Sequence, residues 1–327
     1  MNIRKITALA LISVCIISGC GSAPGNASKT GLFFDTVVSV DIYGSDDAES
    51  IAENCMNICG YYEGLFDKNL KTSDISKLGH GLAVPVNEDT LRLIDDSLRY
   101  CELTDGLFDI TVGALTSLWD FHDPNAAPPH DDKIKEACRN VDYRKVLIDK
   151  KNSTVTLPDG FIIDVGGAAK GYIADRIAEY LETCDISGAI INMGGDMRLV
   201  GTKPGKEAYT IGIKDPSDRQ NILCALYLTD TSVATSGTYE RCFVSDGIKY
   251  HHILDPKTGY PAHTDISSVT VITENAFDSD CLCTVCIMLG TKKALELIEN
   301  TDGTEAIIVT DDGTVKMTGG ADRYIRR

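Results

Sequence analysis

The sequence predicts an α+β fold, in which largely antiparallel sheets pack against helices. Several strand-like stretches follow one another with short turns and no helix between them, which favours antiparallel pairing over a doubly wound parallel sheet. Helical periodicity, with apolar residues recurring every three or four positions, is confined to separate segments. The 327 residues, less an N-terminal segment, suffice for one large domain or two closely packed ones.

These two periodicities place the elements along the chain. Helices are expected at 48–65, 88–103, 168–183, 277–289 and 291–300. Strands are expected at 36–44, 161–166, 188–194, 208–215, 225–236, 267–273 and 305–318. The polar, proline-rich segment HDPNAAPPHDD (122–132) is predicted to be a loop.

The first thirty residues are predicted to lie outside the folded domain. A basic start and an apolar run too short to span a membrane are typical of a signal peptide, here residues 1–19. The run ends in ISGC, which matches the bacterial lipobox and predicts lipidation of Cys20, hence an exported protein anchored to the outer (or periplasmic) face of the cell membrane. Ordinary cleavage near Ala23 is the alternative. Residues 20–30 are predicted to be a flexible tether, which leaves 31–327 as the functional domain.

The charge balance excludes some classes of partner. With 31 basic and 48 acidic residues the net charge is −17, whereas nucleic-acid binding requires clustered lysine and arginine. The same charge argues against adhesion to anionic lipid beyond the anchor itself. A phosphate-bearing ligand would therefore need a divalent cation or local backbone donors to offset the repulsion.

Twelve cysteines would suggest disulfides in an exported protein, but their positions favour mostly free thiols. Cys55 and Cys59 lie on the apolar stripe of one predicted helix and Cys101 extends another, where cysteine acts as a small hydrophobic residue. A domain of this size also buries enough core to fold without a disulfide framework. One or two bridges remain open.

The segment DSDCLCTVCIMLG (278–290) raises the question of a thiolate metal site. On a helix its three cysteines point in different directions, and no second cysteine pair follows, which argues against such a site. Asp280 and Thr284, four residues apart, share a helix face. Together with a nearby carbonyl they offer the hard oxygen ligands that Mg²⁺ prefers. The segment therefore predicts a hard-metal site, with the thiols of Cys281, Cys283 and Cys286 packed as bystanders.

Two glycine-rich turns each include an aspartate. DVGGAAKGYIAD places Asp164 at a strand end and Lys170 at the start of a helix, where free N–H groups attract an anion. INMGGDMRLVG places Asp196 directly after a second glycine pair. Taken alone, the first motif is equally consistent with an ordinary strand–turn–helix corner, and the second is better explained by a glycine-containing hairpin or bulge.

Adjacent histidines occur in KYHHILDPKTGYPA. In an extended backbone His251 and His252 face opposite sides, so we expect at most one of them to reach a site. A histidine beside a ligand suits proton transfer at neutral pH.

Taken together, the motifs resemble the FAD:protein FMN transferase family, also called ApbE proteins. The resemblance spans nearly all of residues 31–325, and its segments occur in the family's order. They are FFDTVVSVDIYG, SDISKL, GLFDITVGALTSLWDF, DVGGAAKGYIADRIAEYL, INMGGDMRLVG, VATSGTYER, HHILDPKTGYP and DSDCLCTVCIMLG.

The resemblance implies an ApbE-like, T-fold-related architecture with an FAD and Mg²⁺ site in the cleft between subregions. It implies metal ligation by the Gly167 carbonyl, the Asp280 carboxylate, the Cys283 carbonyl and the Thr284 hydroxyl. It implies flavin and nucleotide contacts from Phe34, Leu118, Trp119, Asp120, Asp164, Lys170 and Ile253. It places His252 and Asp280 at the reacting phosphate as catalytic residues.

The activity implied is transfer of FMN from FAD to a Thr or Ser hydroxyl of an acceptor protein, with release of AMP. The acceptor implied is an electron-transfer protein with an FMN-binding domain. Four positions depart from the family's pattern: Phe34 replaces a common Met, Asn69 a common aromatic residue, and Cys281 and Cys283 common small residues. An FAD pyrophosphatase without an acceptor and a flavin-binding lipoprotein remain as alternatives.

Overall fold

The computed structural model describes residues 25–218 and 220–326. Its centre is an eight-stranded, entirely antiparallel sheet. The strand order is β1 (Asn26–Phe33), β2 (Thr36–Tyr43), β6 (Gly188–Met193), β7 (Asp196–Gly201), β10 (Ser232–Gly237), β13 (Ile266–Thr273), β14 (Glu305–Thr310) and β15 (Val315–Met317). The α+β class and the antiparallel pairing predicted from the sequence are confirmed.

Three small antiparallel sheets surround this central one. They are β3 (Ala83–Pro85) with β5 (Thr154–Thr156) and β4 (Leu147–Asp149), β8 (Tyr209–Lys214) with β9 (Ile222–Leu228), and β11 (Cys242–Ser245) with β12 (Ile248–His251). The helices are α1 (Ala48–Phe66), α2 (Glu88–Leu103), α3 (Gly113–Thr116), α4 (Asp131–Cys138), α5 (Ala169–Leu181), α6 (Ala276–Leu289) and α7 (Thr291–Glu299). None of the helices in the described ranges is long and apolar enough to cross a membrane.

Apolar side chains of the sheet and helices form the core that positions the site. Strand β2 buries Val38, Val40 and Ile42, every second residue, against α1 and α5, as expected when one face of a strand is covered. A second cluster joins α6 and α7 to β13 and β14. Helices α5 and α6 also pack directly against each other, because Gly171 lets the α6 backbone approach: a Cβ there would lie 2.2 Å from the Ala276 oxygen.

The expected tether over 20–30 is wrong in its described part. Residues 26–30 form most of β1, in register with β2 from the Asn26–Tyr43 pair onward. The sequence NASKTGLF is polar because β1 is an edge strand with an exposed face. The expected signal peptide, Cys20 and the rest of the tether lie outside the described residues.

Several predicted boundaries also differ. The strand expected at 161–166 is wrong: only an isolated bridge between Val112 and Ile162 is present. The expected strands 225–236 and 305–318 each divide at a turn into two strands, and α4 begins inside the loop expected at 122–132. The turn that divides the expected strand 225–236 includes Asp230, which has a positive φ of +47°.

Candidate active site

Helices α5 and α6 stabilise each other's first turns. Asp175 of α5 accepts hydrogen bonds from the Ala276 and Phe277 N–H groups at 2.7 and 2.9 Å. In return, Asp280 of α6 accepts a hydrogen bond from the Gly171 N–H at 3.0 Å. Carboxylates are favoured at helix N-termini, where backbone donors lack partners. This exchange fixes the position of Asp280 relative to the glycine-rich turn before α5.

One ammonium group and two carboxylates lie where these helices meet the β6–β7 turn. Lys170 Nζ is 2.8 Å from Asp280 Oδ1 and 3.2 Å from Asp196 Oδ2. Asp196 also accepts the Thr235 N–H at 3.2 Å. Burial alone would lower the pKa of Lys170, but Asp280 and Asp196 outweigh it and raise the pKa. Burial raises the pKa of Asp196 to about 6 despite the opposing effect of Lys170.

The residues expected to bind a metal lie around this cluster. A Cβ on Gly167 would meet the Phe108 ring at 3.2 Å and the Thr284 hydroxyl at 3.4 Å, so Gly167 and Thr284 are neighbours. Within the described ranges the Thr284 hydroxyl makes no hydrogen bond. Asp280 is one helical turn before Thr284, as expected. A carboxylate, an unpaired hydroxyl and a turn carbonyl are oxygen donors that fit Mg²⁺.

The cysteines of α6 face away from these oxygen donors. Cys283 Sγ donates to the Ala234 carbonyl at 3.3 Å, and the thiols of Cys281, Cys283 and Cys286 are fully buried. Burial raises the pKa of each thiol, that of Cys286 to about 12. All ten described cysteines are free, and the described residues contain no cluster of three or more His, Cys, Asp or Glu that could hold a metal. The Cys283 carbonyl lies inside α6, where the helix ladder already uses one of its lone pairs.

Asp164 lies in a second charged cluster, just before the glycine-rich turn. Its Oδ2 accepts hydrogen bonds from Lys68 Nζ and the Thr116 hydroxyl, each at 2.6 Å, and its Oδ1 accepts the Gly166 N–H at 2.9 Å. Burial alone would raise the pKa of Asp164, but the Lys68 charge and these hydrogen bonds hold it below its ordinary value.

The tip of the β1–β2 hairpin positions Phe34. Phe34 and Asp35 form its two-residue turn, with φ of +51° and +55°. Such turns favour Gly and Asn, and a bulky residue at positive φ is strained. The Phe34 N–H donates to Glu63 at 2.7 Å, and a Cβ on Gly194 would meet Thr36 at 2.3 Å. The strained tip therefore adjoins the β6–β7 turn that precedes Asp196.

The expected contacts at 118–120 have three different environments. Trp119 is 6 % exposed, stacks on Phe121 at 5.5 Å and donates its Nε1–H to the Gly259 carbonyl at 3.2 Å. Leu118 is half-buried against the same aromatic cluster. Asp120 is exposed and accepts two backbone N–H groups of the following turn. Trp119 therefore supports the position of this segment, which presents Asp120 to solvent.

The two histidines differ in environment, as the alternation predicted. His251 is buried and donates from Nε2 to the Ala262 carbonyl at 3.1 Å, whereas its Nδ1 has no partner. His252 is half-buried and its Nδ1 lies 3.3 Å from the Arg241 carbonyl. Because a carbonyl only accepts, Nδ1 carries the proton and Nε2 is left as the basic nitrogen. Burial lowers the pKa of His252 to about 4, and the charges of Arg241 and Lys170 act in the same direction.

Some expected residues are less accessible than others. Ile253 is 5 % exposed and belongs to the core cluster beneath α6.

Lys68 was not predicted from the sequence, and Asp196 was noted only as part of a turn. The mostly polar segment DKNLKTSD gave no signal for Lys68, because its partners Thr116 and Asp164 are 48 and 96 positions away.

Comparison with known proteins decides the family. The model of the ApbE family matches residues 34–308. An FAD:protein FMN transferase of Treponema pallidum (strain Nichols) is 32 % identical, covering 96 % of this chain and 94 % of its own. The chain belongs to the ApbE family. A second such protein, from Klebsiella pneumoniae (strain 342), is also 32 % identical over 89 % of this chain and 91 % of its own.

Solved ApbE structures have the same fold. The ApbE protein of Thermotoga maritima superposes with a TM-score of 0.85 at 35 % identity, covering 92 % of this chain and all of its own. The apo flavinyl transferase ApbE of Pseudomonas stutzeri gives 0.80 at 24 % identity, over 91 % and 96 %. The ApbE architecture expected from the sequence is therefore confirmed.

Proposed function

We propose that this chain is an FAD:protein FMN transferase, which moves FMN from FAD to a Thr or Ser hydroxyl of an acceptor protein and releases AMP. The observation that carries the proposal is the Lys170, Asp280 and Asp196 cluster beside the free hydroxyl of Thr284. Its relatives are named for this activity. In-line transfer of a phosphoryl group requires mainly positioning and charge neutralisation, and this cluster supplies both.

The substrate's pyrophosphate meets donors and a cation of this chain. Lys170 supplies a positive charge at the start of α5, whose N-cap residue, Ala168, leaves the helix without a side-chain cap. The Gly167 carbonyl, the Asp280 carboxylate and the Thr284 hydroxyl would hold Mg²⁺, with the second lone pair of the Cys283 carbonyl as a fourth ligand. When bound, Mg²⁺ supplies Lewis-acid stabilisation of the phosphate charge.

We assign proton removal from the acceptor hydroxyl to His252. Its Nδ1–H is held by the Arg241 carbonyl, so the Nε2 lone pair is available. The ring is neutral at pH 7, which is the form that accepts a proton, although the lowered pKa makes it a weaker base than an ordinary histidine.

The test uses purified protein, Mg²⁺, FAD and an acceptor protein that carries an FMN-binding domain. We expect AMP release together with flavin that stays on the denatured acceptor, and loss of both with EDTA. Mass spectrometry should show the acceptor gaining one FMN less one water. AMP release without an adduct would support the FAD pyrophosphatase instead. FAD binding without turnover in the presence of Mg²⁺ would support a flavin-binding protein.

The same proposal covers the class of the acceptor protein and the location of the enzyme. The acceptor is an exported or membrane-bound electron-transfer protein, and the enzyme is anchored through lipid on Cys20, as its ISGC sequence predicts. Metabolic labelling with a fatty acid tests the anchor. Wild-type protein should take up the label and Cys20→Ala should not.

A further inference from the structure

Lys68 makes a partly buried ion pair at the edge of the candidate site. Its Nζ lies 2.6 Å from both Asp164 Oδ2 and the Thr116 hydroxyl. The side chains of Lys68 and Asp164 are each 19 % exposed. An ammonium placed so far from solvent costs desolvation energy, which close and well-directed partners offset.

The position of Lys68 in the chain makes this pair a junction of three segments. Lys68 follows the end of α1 and precedes Asn69, in the loop where the family commonly has an aromatic residue. Thr116 ends α3, directly before the Leu118–Asp120 segment. Asp164 lies directly before the glycine-rich turn. One ammonium from the loop after α1 therefore contacts residues at two of the segments expected to bind FAD, the one that follows α3 and the one at Asp164.

Backbone contacts hold the start of α3 against the chain before Asp164, and side chains join the end of α3 to Asp164. Gly113 at the start of α3 donates to the Ile162 carbonyl at 3.1 Å, and any Cβ there would lie 2.6 Å from that oxygen. These contacts join the first turn of α3 to the chain before Asp164. The Asp164 N–H also donates to the Ile110 carbonyl at 2.7 Å. At the other end of α3, the Thr116 hydroxyl donates to the Asp164 carboxylate at 2.6 Å, and Lys68 Nζ bonds both groups.

The charge of Asp164 also needs Lys68. FAD carries a negative pyrophosphate, and an unpaired carboxylate beside the glycine-rich turn would repel it. Two of the three groups that bind Asp164 are neutral donors, Thr116 and the Gly166 N–H. Lys68 is the cation within hydrogen-bonding distance of this carboxylate.

We propose that Lys68 is a positioning residue for FAD: by neutralising Asp164 and bonding both Asp164 and Thr116, it holds these two side chains in the arrangement that FAD binds. The inference rests on the proposed function and deepens it. Lys68 acts through Asp164 and therefore affects binding of FAD rather than the chemical step.

The test compares Lys68→Met and Lys68→Arg with Lys71→Met, a change of an exposed lysine in the same loop. We expect Lys68→Met to raise the KM and the Kd for FAD about tenfold with kcat within about threefold, the pattern of lost uniform binding. Lys68→Arg should recover most of the affinity, because arginine keeps the charge, and Lys71→Met should match wild type. Thermal unfolding of each variant establishes that the comparison is among folded proteins.

A double-substitution cycle with Asp164→Asn separates positioning from general stability. If Lys68 acts through Asp164, Lys68→Met should change FAD affinity less than about twofold in the Asp164→Asn background. Equal KM values for the Lys68→Met and Lys71→Met proteins, or independent effects in the cycle, would overturn the inference. The Kd is measured by flavin fluorescence, so absence of AMP release would refute the proposed function alone. Absence of FAD binding by the wild-type protein would overturn both.

Discussion

Lys170 Nζ lies 2.8 Å from Asp280 Oδ1, although the two residues are 110 positions apart and begin different helices. The pair exists because Gly171 permits close packing of α5 on α6 and because each helix supplies an aspartate to the other's first turn. The active-site carboxylate is thus positioned by the same contacts that join the helices.

Replacing Asp280 should affect both activity and stability. We expect Asp280→Asn to lower kcat/KM for AMP release at least about 100-fold, because it removes the charge that would bind the metal. The free energy of unfolding should fall by about 2 kcal/mol through loss of a charge-assisted hydrogen bond. Asp278→Asn is the matched control: it weakens bonds to Asn275 and Tyr100 on the same helix. Comparable activity losses in the two variants would contradict the assignment of Asp280.

The thiols of α6 should be dispensable for activity. Replacing Cys281, Cys283 and Cys286 together by Ala should leave kcat within about threefold of wild type, since their sulfurs are buried away from the oxygen donors. The melting temperature should fall, because each substitution leaves a small cavity. Metal analysis of the wild-type protein should find no tightly bound zinc. Loss of activity in a triple variant that is still folded would show that the thiols take part in the mechanism.

Strain at the β1–β2 turn gives opposite predictions for stability and binding. Relief of the positive φ in Phe34→Gly should stabilise the fold by roughly 1 kcal/mol, an effect opposed by loss of the ring's packing against the core. It should also weaken FAD binding if Phe34 contacts the ligand. Asp35→Gly is the control, with the same relief of strain at an exposed position. Urea unfolding and FAD titration of both variants test the pair of expectations, and equal affinities for FAD would remove Phe34 from the site.

His251 should make the protein sensitive to acid. Burial lowers its pKa from 6.5 to about 4 in the folded state. Between those pH values the unfolded chain binds more protons, so stability falls as the pH falls from 6.5 to 4. The loss is up to about 3 kcal/mol at one pKa unit per 1.36 kcal/mol. His251→Gln should flatten this part of the stability curve, measured by urea unfolding at several pH values. An unchanged slope would show that other groups cause the acid sensitivity.

The sequence predicted best what depends on short-range pattern. The alternation of apolar residues in the sequence identified β2. The four-residue spacing of Asp280 and Thr284 placed both on one face of α6. Edge strand β1 was missed because a strand with an exposed face needs few apolar residues. The Lys68–Asp164 pair was missed for another reason: tertiary packing brings together residues 96 positions apart, and neither has a local pattern that indicates its partner.

The early start of β1 sets a limit on reach. If Cys20 is lipidated as proposed, five residues separate it from Asn26, at most about 20 Å of extended chain. Strand β1 then runs eight residues, roughly 26 Å, to the hairpin tip beside the cleft. The tip of the β1–β2 hairpin would therefore lie within about 45 Å of the bilayer. Acceptor threonines or serines beyond that height would be out of range unless their own protein brings them down to the membrane.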